Sequence, residues 1–193
     1  HPHATPFVQM QYTVLNSAIA LCGFYCASLV IDKHWYGRRT CQMVGFLMLF
    51  FLNIIIFTNW AMLTDVNASV AAQNWFQAIY YATSFFNQFG PNCTTWLVAG
   101  EIFPTEIRAA NHGFAATMGK LGAIISSIWI LNLSNPKDVF LVSCVWAIAG
   151  ALITWIFLPD TTGMNLKDLD TFHQHLVEDR LEQYVCEAIN PKH

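Results

Sequence analysis

Charge is sparse in this chain. Lys, Arg, Asp and Glu make up 11% of its 193 residues, against 55% hydrophobic ones, whereas roughly a quarter of a soluble domain is charged. The few charges are also bunched. None lies in 1–31, between Arg39 and Asp65, between Asp65 and Glu101, or between Asp138 and Asp160. A water-soluble fold could not draw enough polar surface from such windows, and mean hydropathy is +0.40. No basic cluster exceeds Lys33 with Arg38 and Arg39, which argues against a nucleic-acid partner. The six cysteines (Cys22, Cys26, Cys41, Cys93, Cys144, Cys186) have no histidine at metal-ligand spacing, so no metal and no cofactor is expected. No histidine or carboxylate pair falls deep in an apolar run, and an enzyme is not expected. The sequence opens at His1 with neither a methionine nor a basic region before its first apolar run. That run does not read as a signal peptide, and the chain is expected to begin within a longer protein.

What is present is a series of long apolar runs. Windows of about 20 uncharged residues match a hydrocarbon core of roughly 30 Å. Five spans are predicted within 1–160, at about 11–31, 41–62, 75–99, 113–133 and 139–158. Backbone groups in lipid must be satisfied inside a helix or a closed barrel, and strict alternation is missing, so the spans are predicted to be helices. Lys33, Arg38 and Arg39 fall in the link after the first span, Arg108 in the third link, only Lys137 in the fourth, and Lys167, Arg180 and Lys192 in the tail, which predicts that the first and third links and the tail lie on the cytoplasmic side. Two sequons, Asn67-Ala68-Ser69 and Asn132-Leu133-Ser134, fall on the opposite predicted side. From 161 to 193 the composition changes. Asp168, Asp170, Glu178, Asp179, Glu182 and Glu187 interleave with Leu166, Leu169, Phe172, Leu176 and Leu181, predicting a cytoplasmic amphipathic tail.

Several motifs mark the ends of these runs. Asp32-Lys33-His34-Trp35-Tyr36-Gly37-Arg38-Arg39 closes the first and resembles the Asp-Arg-x-Gly-Arg-Arg loop of the major facilitator superfamily, with a longer interval between Asp32 and Gly37. Pro104-Thr105-Glu106-Ile107-Arg108 resembles the Pro-Glu-Thr-x-x-Arg element of that superfamily. Pro159-Asp160-Thr161-Thr162-Gly163 resembles its Pro-Glu-Thr-Lys-Gly stop after the twelfth helix. The resemblance implies an all-α membrane protein: five transmembrane helices, the eighth to the twelfth, forming most of the C-terminal bundle of a major-facilitator fold. Gly90-Pro91-Asn92-x-Thr94-Thr95, with His112-Gly113-Phe114 and Gly119-Lys120-Leu121-Gly122-Ala123, resembles the phosphate:proton symporters within it. Gly90, Pro91, Trp96 and Glu101 are shared with sugar porters and do not discriminate.

The resemblance implies that Asn92 and Lys120 handle substrate. Phosphate is small, hydrated and anionic, so its site must supply donors and positive charge. Asn92 offers an amide beside a proline that leaves a backbone carbonyl unpaired, and Gln88, four residues earlier, shares its helix face. A lysine two turns into a span is costly unless it meets water or an anion. The structural alternatives are a snorkelling Lys120 and an interhelical hydrogen bond at Asn92. Asp32, Arg38, Arg39, Glu101, Glu106 and Arg108 gather at the predicted cytoplasmic side, where the resemblance implies an ion-pair network that latches an inner gate. Their alternative is anchorage of helix ends.

The expected function is proton-coupled uptake of inorganic phosphate by alternating access, in a multi-pass protein of the plasma membrane. The alternatives are a sugar or glycerophosphodiester porter, or a non-transporting remnant or sensor. No Asp or Glu lies deep in a span. The resemblance places the proton-coupling acid, and the second bundle that alternating access needs, in preceding helices of the same transporter.

Overall fold

A computed structural model describes residues 6–64, 69–133, 135–163 and 165–177. These form eight α-helices and one π-turn, with no strand among the described residues. The helices are α1 (Pro6–Val30), α2 (Gly37–Thr58), α3 (Trp60–Thr64), α4 (Val70–Asn87), α5 (Cys93–Glu101), α6 (Thr105–Leu131), α7 (Lys137–Phe157) and α8 (Leu166–Val177). The π-turn, Gln88–Asn92, joins α4 to α5. Four helices, α1, α2, α6 and α7, are each long and apolar enough to cross a membrane. The rod α4–π-turn–α5 is the fifth long element, interrupted near its middle. Asp65, Asn67 and the tail acids from Glu178 onward lie outside the described residues.

Helix ends follow local chemistry. Ser69 caps α4, its hydroxyl accepting from Ala72 N at 3.3 Å, as N-cap serines do. Pro91 explains the π-turn. It has no N–H to donate and its ring crowds the preceding carbonyls, so the helix widens by a residue to pass it. Thr94 then back-bonds to Gly90 O at 2.9 Å, and the Cys41 thiol of α2 donates to Phe89 O at 3.2 Å. The polar groups loosened at the kink are thus taken up by neighbouring side chains.

The tightest packing is at that kink. A Cβ built on Gly90 would lie 2.5 Å from Gly45 Cα, so α2 and the π-turn meet backbone to backbone. Such contact suits helices in lipid, where close van der Waals approach replaces the hydrophobic drive. α2 packs along α7 and also on α4, while α1 packs on α4 and the π-turn. A buried Gln42 Nε2 to Thr154 Oγ1 bond of 3.1 Å fastens α2 to α7. The outer faces are apolar: Val145, Trp146, Ile153 and Ile156 of α7 are all exposed. A patch of that kind is a liability in water and an ordinary surface in lipid.

α6 is set apart. None of its residues is buried, and among the described elements it packs chiefly on α5.

Candidate functional site

The mid-rod site is built by the kink. The π-turn places Gln88 and Asn92 on one side of the widened helix, and Asn92 Nδ2 donates to Gln88 Oε1. Both residues are partly exposed. The pairing leaves the Gln88 amide N–H groups as donors and Asn92 Oδ1 as an acceptor. Beneath them Thr94 is fully buried, with its hydroxyl turned back on the backbone. Thr94 is therefore a structural plug of the kink, and the amide pair is the polar feature it presents.

Lys120 is elsewhere. It lies on the exposed α6, and the described packing does not bring it to the amide pair. Ideal Cβ atoms at Gly113, Gly119 and Gly122 meet nothing within 4 Å, so α6 is open at each of these small residues. The two halves of the sequence-predicted substrate site are thus separate in this structure.

The second cluster lies where the link Ile31–Tyr36, the end of α5 and the segment after α7 converge. Arg38 is its hub. Its guanidinium grips Glu101 by two bonds, Nε to Oε2 at 3.1 Å and Nη2 to Oε1 at 2.9 Å. Nη1 donates to Ile31 O at 3.1 Å, and Nη2 also meets Asp32 Oδ1 at 2.9 Å. The bidentate pair is shielded, with side-chain exposures of 10% for Arg38 and 18% for Glu101, while Asp32 is 75% exposed. Glu101 accepts once more, from the Thr161 hydroxyl at 2.6 Å. Arg38 N–H donates to Thr162 Oγ1 at 3.1 Å.

Gly37 permits this docking. Its φ is +75°, a region that side chains with a Cβ seldom adopt, and a Cβ there would lie 2.5 Å from Thr162 Oγ1. The residues of the 159–163 motif therefore seat directly on the first turn of α2. The longer Asp32–Gly37 interval does not prevent Asp32 from reaching Arg38.

The other charged residues act differently. Arg39 donates to Trp155 O of α7, and Arg108 Nε donates to Phe103 O at 3.0 Å. Both guanidiniums donate to main-chain carbonyls, Arg39 near the end of α7 and Arg108 in the link before α6. Glu106 is exposed and pairs with none of the described residues. Of the six expected gate residues, then, Asp32, Arg38 and Glu101 form one network. Thr161 and Thr162 join it. The sequence signal for them was the motif at 159–163, whose hydroxyls gave no hint of their partner. Asp170 was likewise unforeseen: its carboxylate accepts from Thr105 N at 2.8 Å and from Thr105 Oγ1 at 2.6 Å. Those two bonds first, and then the proximity of Arg108 and His173, hold its pKa below the ordinary carboxylate value.

Among the described residues no group of three or more metal-ligating side chains forms a metal site.

Comparisons with known proteins agree on one kind of molecule. A family model described as sugar (and other) transporter matches residues 4–172. The probable inorganic phosphate transporter 1-12 of Oryza sativa subsp. japonica is 30% identical over 181 residues, covering 80% of this chain and 31% of its own length. The probable inorganic phosphate transporter 1-6 of Arabidopsis thaliana is 31% identical over 164 residues, 81% of this chain and 30% of its own. The low affinity inorganic phosphate transporter 4 of Medicago truncatula is 37% identical over 153 residues, 76% of this chain and 28% of its own. The chain spans about three tenths of the length of these relatives.

Proposed function

The chain belongs to the sugar (and other) transporter family of the major facilitator superfamily, and from that premise we propose that it is the C-terminal part of a proton-coupled importer of inorganic phosphate. It is a multi-pass, all-α membrane protein. Its relatives named above are inorganic phosphate transporters, and the site chemistry supports the same substrate here.

The observation that carries the reading is the Gln88–Asn92 amide pair at a proline kink in an otherwise apolar rod. Protonated phosphate presents both acceptor oxygens and hydroxyl donors. The free Gln88 N–H groups suit the former, and Asn92 Oδ1 suits the latter. Lys120 supplies positive charge when α6 closes over the kink. The remaining contacts, and the acid that couples the proton, come from preceding helices of the same transporter.

Alternating access needs contacts that exist in one state and break in another. Arg38–Glu101–Asp32, locked by Thr161 and Thr162, is that device, and its shielded bidentate core makes it stronger than a surface pair. We place it on the cytoplasmic side, with the tail, in the plasma membrane. Arg39, Arg108 and Glu106 set the helix ends around it.

The test is uptake by the complete protein in proteoliposomes with an imposed proton gradient. Asn92→Ala should raise the KM for phosphate at least about tenfold, the worth of one charge-assisted bond, with folding intact. Excess glycerophosphodiester or hexose should not compete. Competition by either would transfer the reading to that substrate, and unchanged uptake in Asn92→Ala would remove the kink from the site.

A further inference from the structure

The N-terminus of α6 has no cap of its own. Pro104 stands at its N-cap position with φ −62° and ψ 157°, and it makes no side-chain cap bond. Helices usually close this end with a Ser, Thr, Asp or Asn whose oxygen accepts from first-turn N–H groups. Here the acceptor comes from another helix, 65 residues along the chain. Asp170, in the second turn of α8, places one carboxylate oxygen on Thr105 N–H and the other on the Thr105 hydroxyl. Its charge also stands at the positive end of the α6 dipole.

The rest of α6 gives this contact leverage. Its described ties to the protein lie in its first two turns. The Trp96 ring of α5 and the His112 ring sit 5.3 Å apart, and Arg108 Nε closes back on Phe103 O in the link just before the helix. Beyond them the helix buries no residue. The direction in which α6 leaves the bundle, and so the position of Lys120, is therefore decided at the end that Asp170 caps.

We propose that α8 is a docked strap that sets the tilt of α6 by capping it in trans, so that release of the tail resets the helix carrying Lys120 without touching the amide pair. The docking half stands on the two observed bonds. The consequence for transport rests on the phosphate reading above.

The experiment uses the full-length transporter, with its reactive native cysteines replaced by serine, in nanodiscs with two spin-label pairs. One pair, at Ala109→Cys and Gln174→Cys, reports α8 on α6. The other, at Leu47→Cys and Met118→Cys, reports α6 against α2. Asp170→Ala should lower the docked fraction of the first pair by about five- to tenfold, as loss of a good cap does, and should broaden or shift the second. Thr105→Val, which keeps the N–H bond and loses the hydroxyl, should give a smaller change in the same direction; it also stands in if Asp170→Ala does not fold. Phosphate uptake in Asp170→Ala should change in maximal rate more than in KM. The proposal is overturned if α8 stays docked in both variants, or if it releases while the α2–α6 distances hold. If the distances respond but the unaltered protein takes up no phosphate, the strap stands and the transport reading fails.

Discussion

Replacing Arg38 with alanine should open the charged end of the bundle. The size of the effect follows from the contacts. Arg38→Ala strips Glu101 of both guanidinium bonds and leaves its carboxylate, 18% exposed, with the Thr161 hydroxyl. Removing one partner of a buried pair costs roughly 3–5 kcal/mol, and the residual exposure of Glu101 reduces that to about 2–3 kcal/mol by the same reasoning. Asp32, 75% exposed, adds at most about 1 kcal/mol. The total is about 2–4 kcal/mol, so at 1.4 kcal/mol per decade the closed arrangement should lose about 30- to 700-fold in population. Glu101→Gln keeps the shape and removes the charge, so the two substitutions form a double-mutant cycle. Hydrogen exchange of the full-length protein in nanodiscs, read over residues 31–38, 101–105 and 159–163, would report the opening free energy of each variant. A coupling energy of about 1.5–3 kcal/mol is expected, at the upper end for residues in one network. Arg38→Lys should restore little, because an ammonium cannot reproduce the fork. A coupling below about 0.5 kcal/mol, the ordinary margin of additivity, would refute the latch as an energetic unit and leave these residues as helix-end anchors.

Other outcomes follow from single contacts. Gly90→Ala should destabilise the protein by about 1–3 kcal/mol or more through overpacking, since its Cβ would meet Gly45 Cα at 2.5 Å; thermal unfolding in detergent measures it, and Gly100→Ala, with nothing within 4 Å, is the control. Gly37→Ala should lower the hydrogen-exchange protection of 159–163, because φ +75° and Thr162 both oppose a Cβ there. Docking of α8 should persist through the neutral range and fail only in strong acid. The Asp170 pKa is lowered in the folded protein, chiefly by its bonds to Thr105 with Arg108 and His173 nearby, so its contribution is complete above the ordinary carboxylate pKa and is lost as pH falls through the lowered value. The Ala109–Gln174 label distance followed from pH 7 to about pH 3 would check this, and release near neutrality would contradict it. Lys120→Ala should weaken phosphate uptake while leaving the α8 distances unchanged, which separates the charge on α6 from the strap that orients it.

Much of this protein was legible in its sequence because lipid imposes a coarse rule. Uncharged windows long enough to cross a bilayer, without strict alternation, are expected to be helices, so the apolar runs and the charged links between them were read from the order of residue types along the chain. The motifs Asp32–Arg39, Pro104–Arg108 and Pro159–Gly163 marked the segments that meet at one end. The kink was legible too, since Pro91 inside an apolar helix forces a break. Composition and motif could not say which charges meet. Arg38, Arg39 and Arg108 look alike as letters, yet among the described residues only Arg38 bonds Glu101, and Gly37 at positive φ lets the 159–163 segment seat on that turn. The hydroxyls of Thr161 and Thr162 and the carboxylate of Asp170 found partners 60 or more residues away, which no local pattern encodes. The separation of Lys120 from Asn92 was also decided in three dimensions, since α6 is tied down only near its first turns. Sequence by itself pointed to membrane-crossing helices, because satisfying the backbone in lipid is a local requirement, while the transporter class was legible only through the motifs that resemble a known family. Tertiary structure chose the partners, because hydrogen bonds and ion pairs depend on angstrom-scale approach between segments distant in the chain.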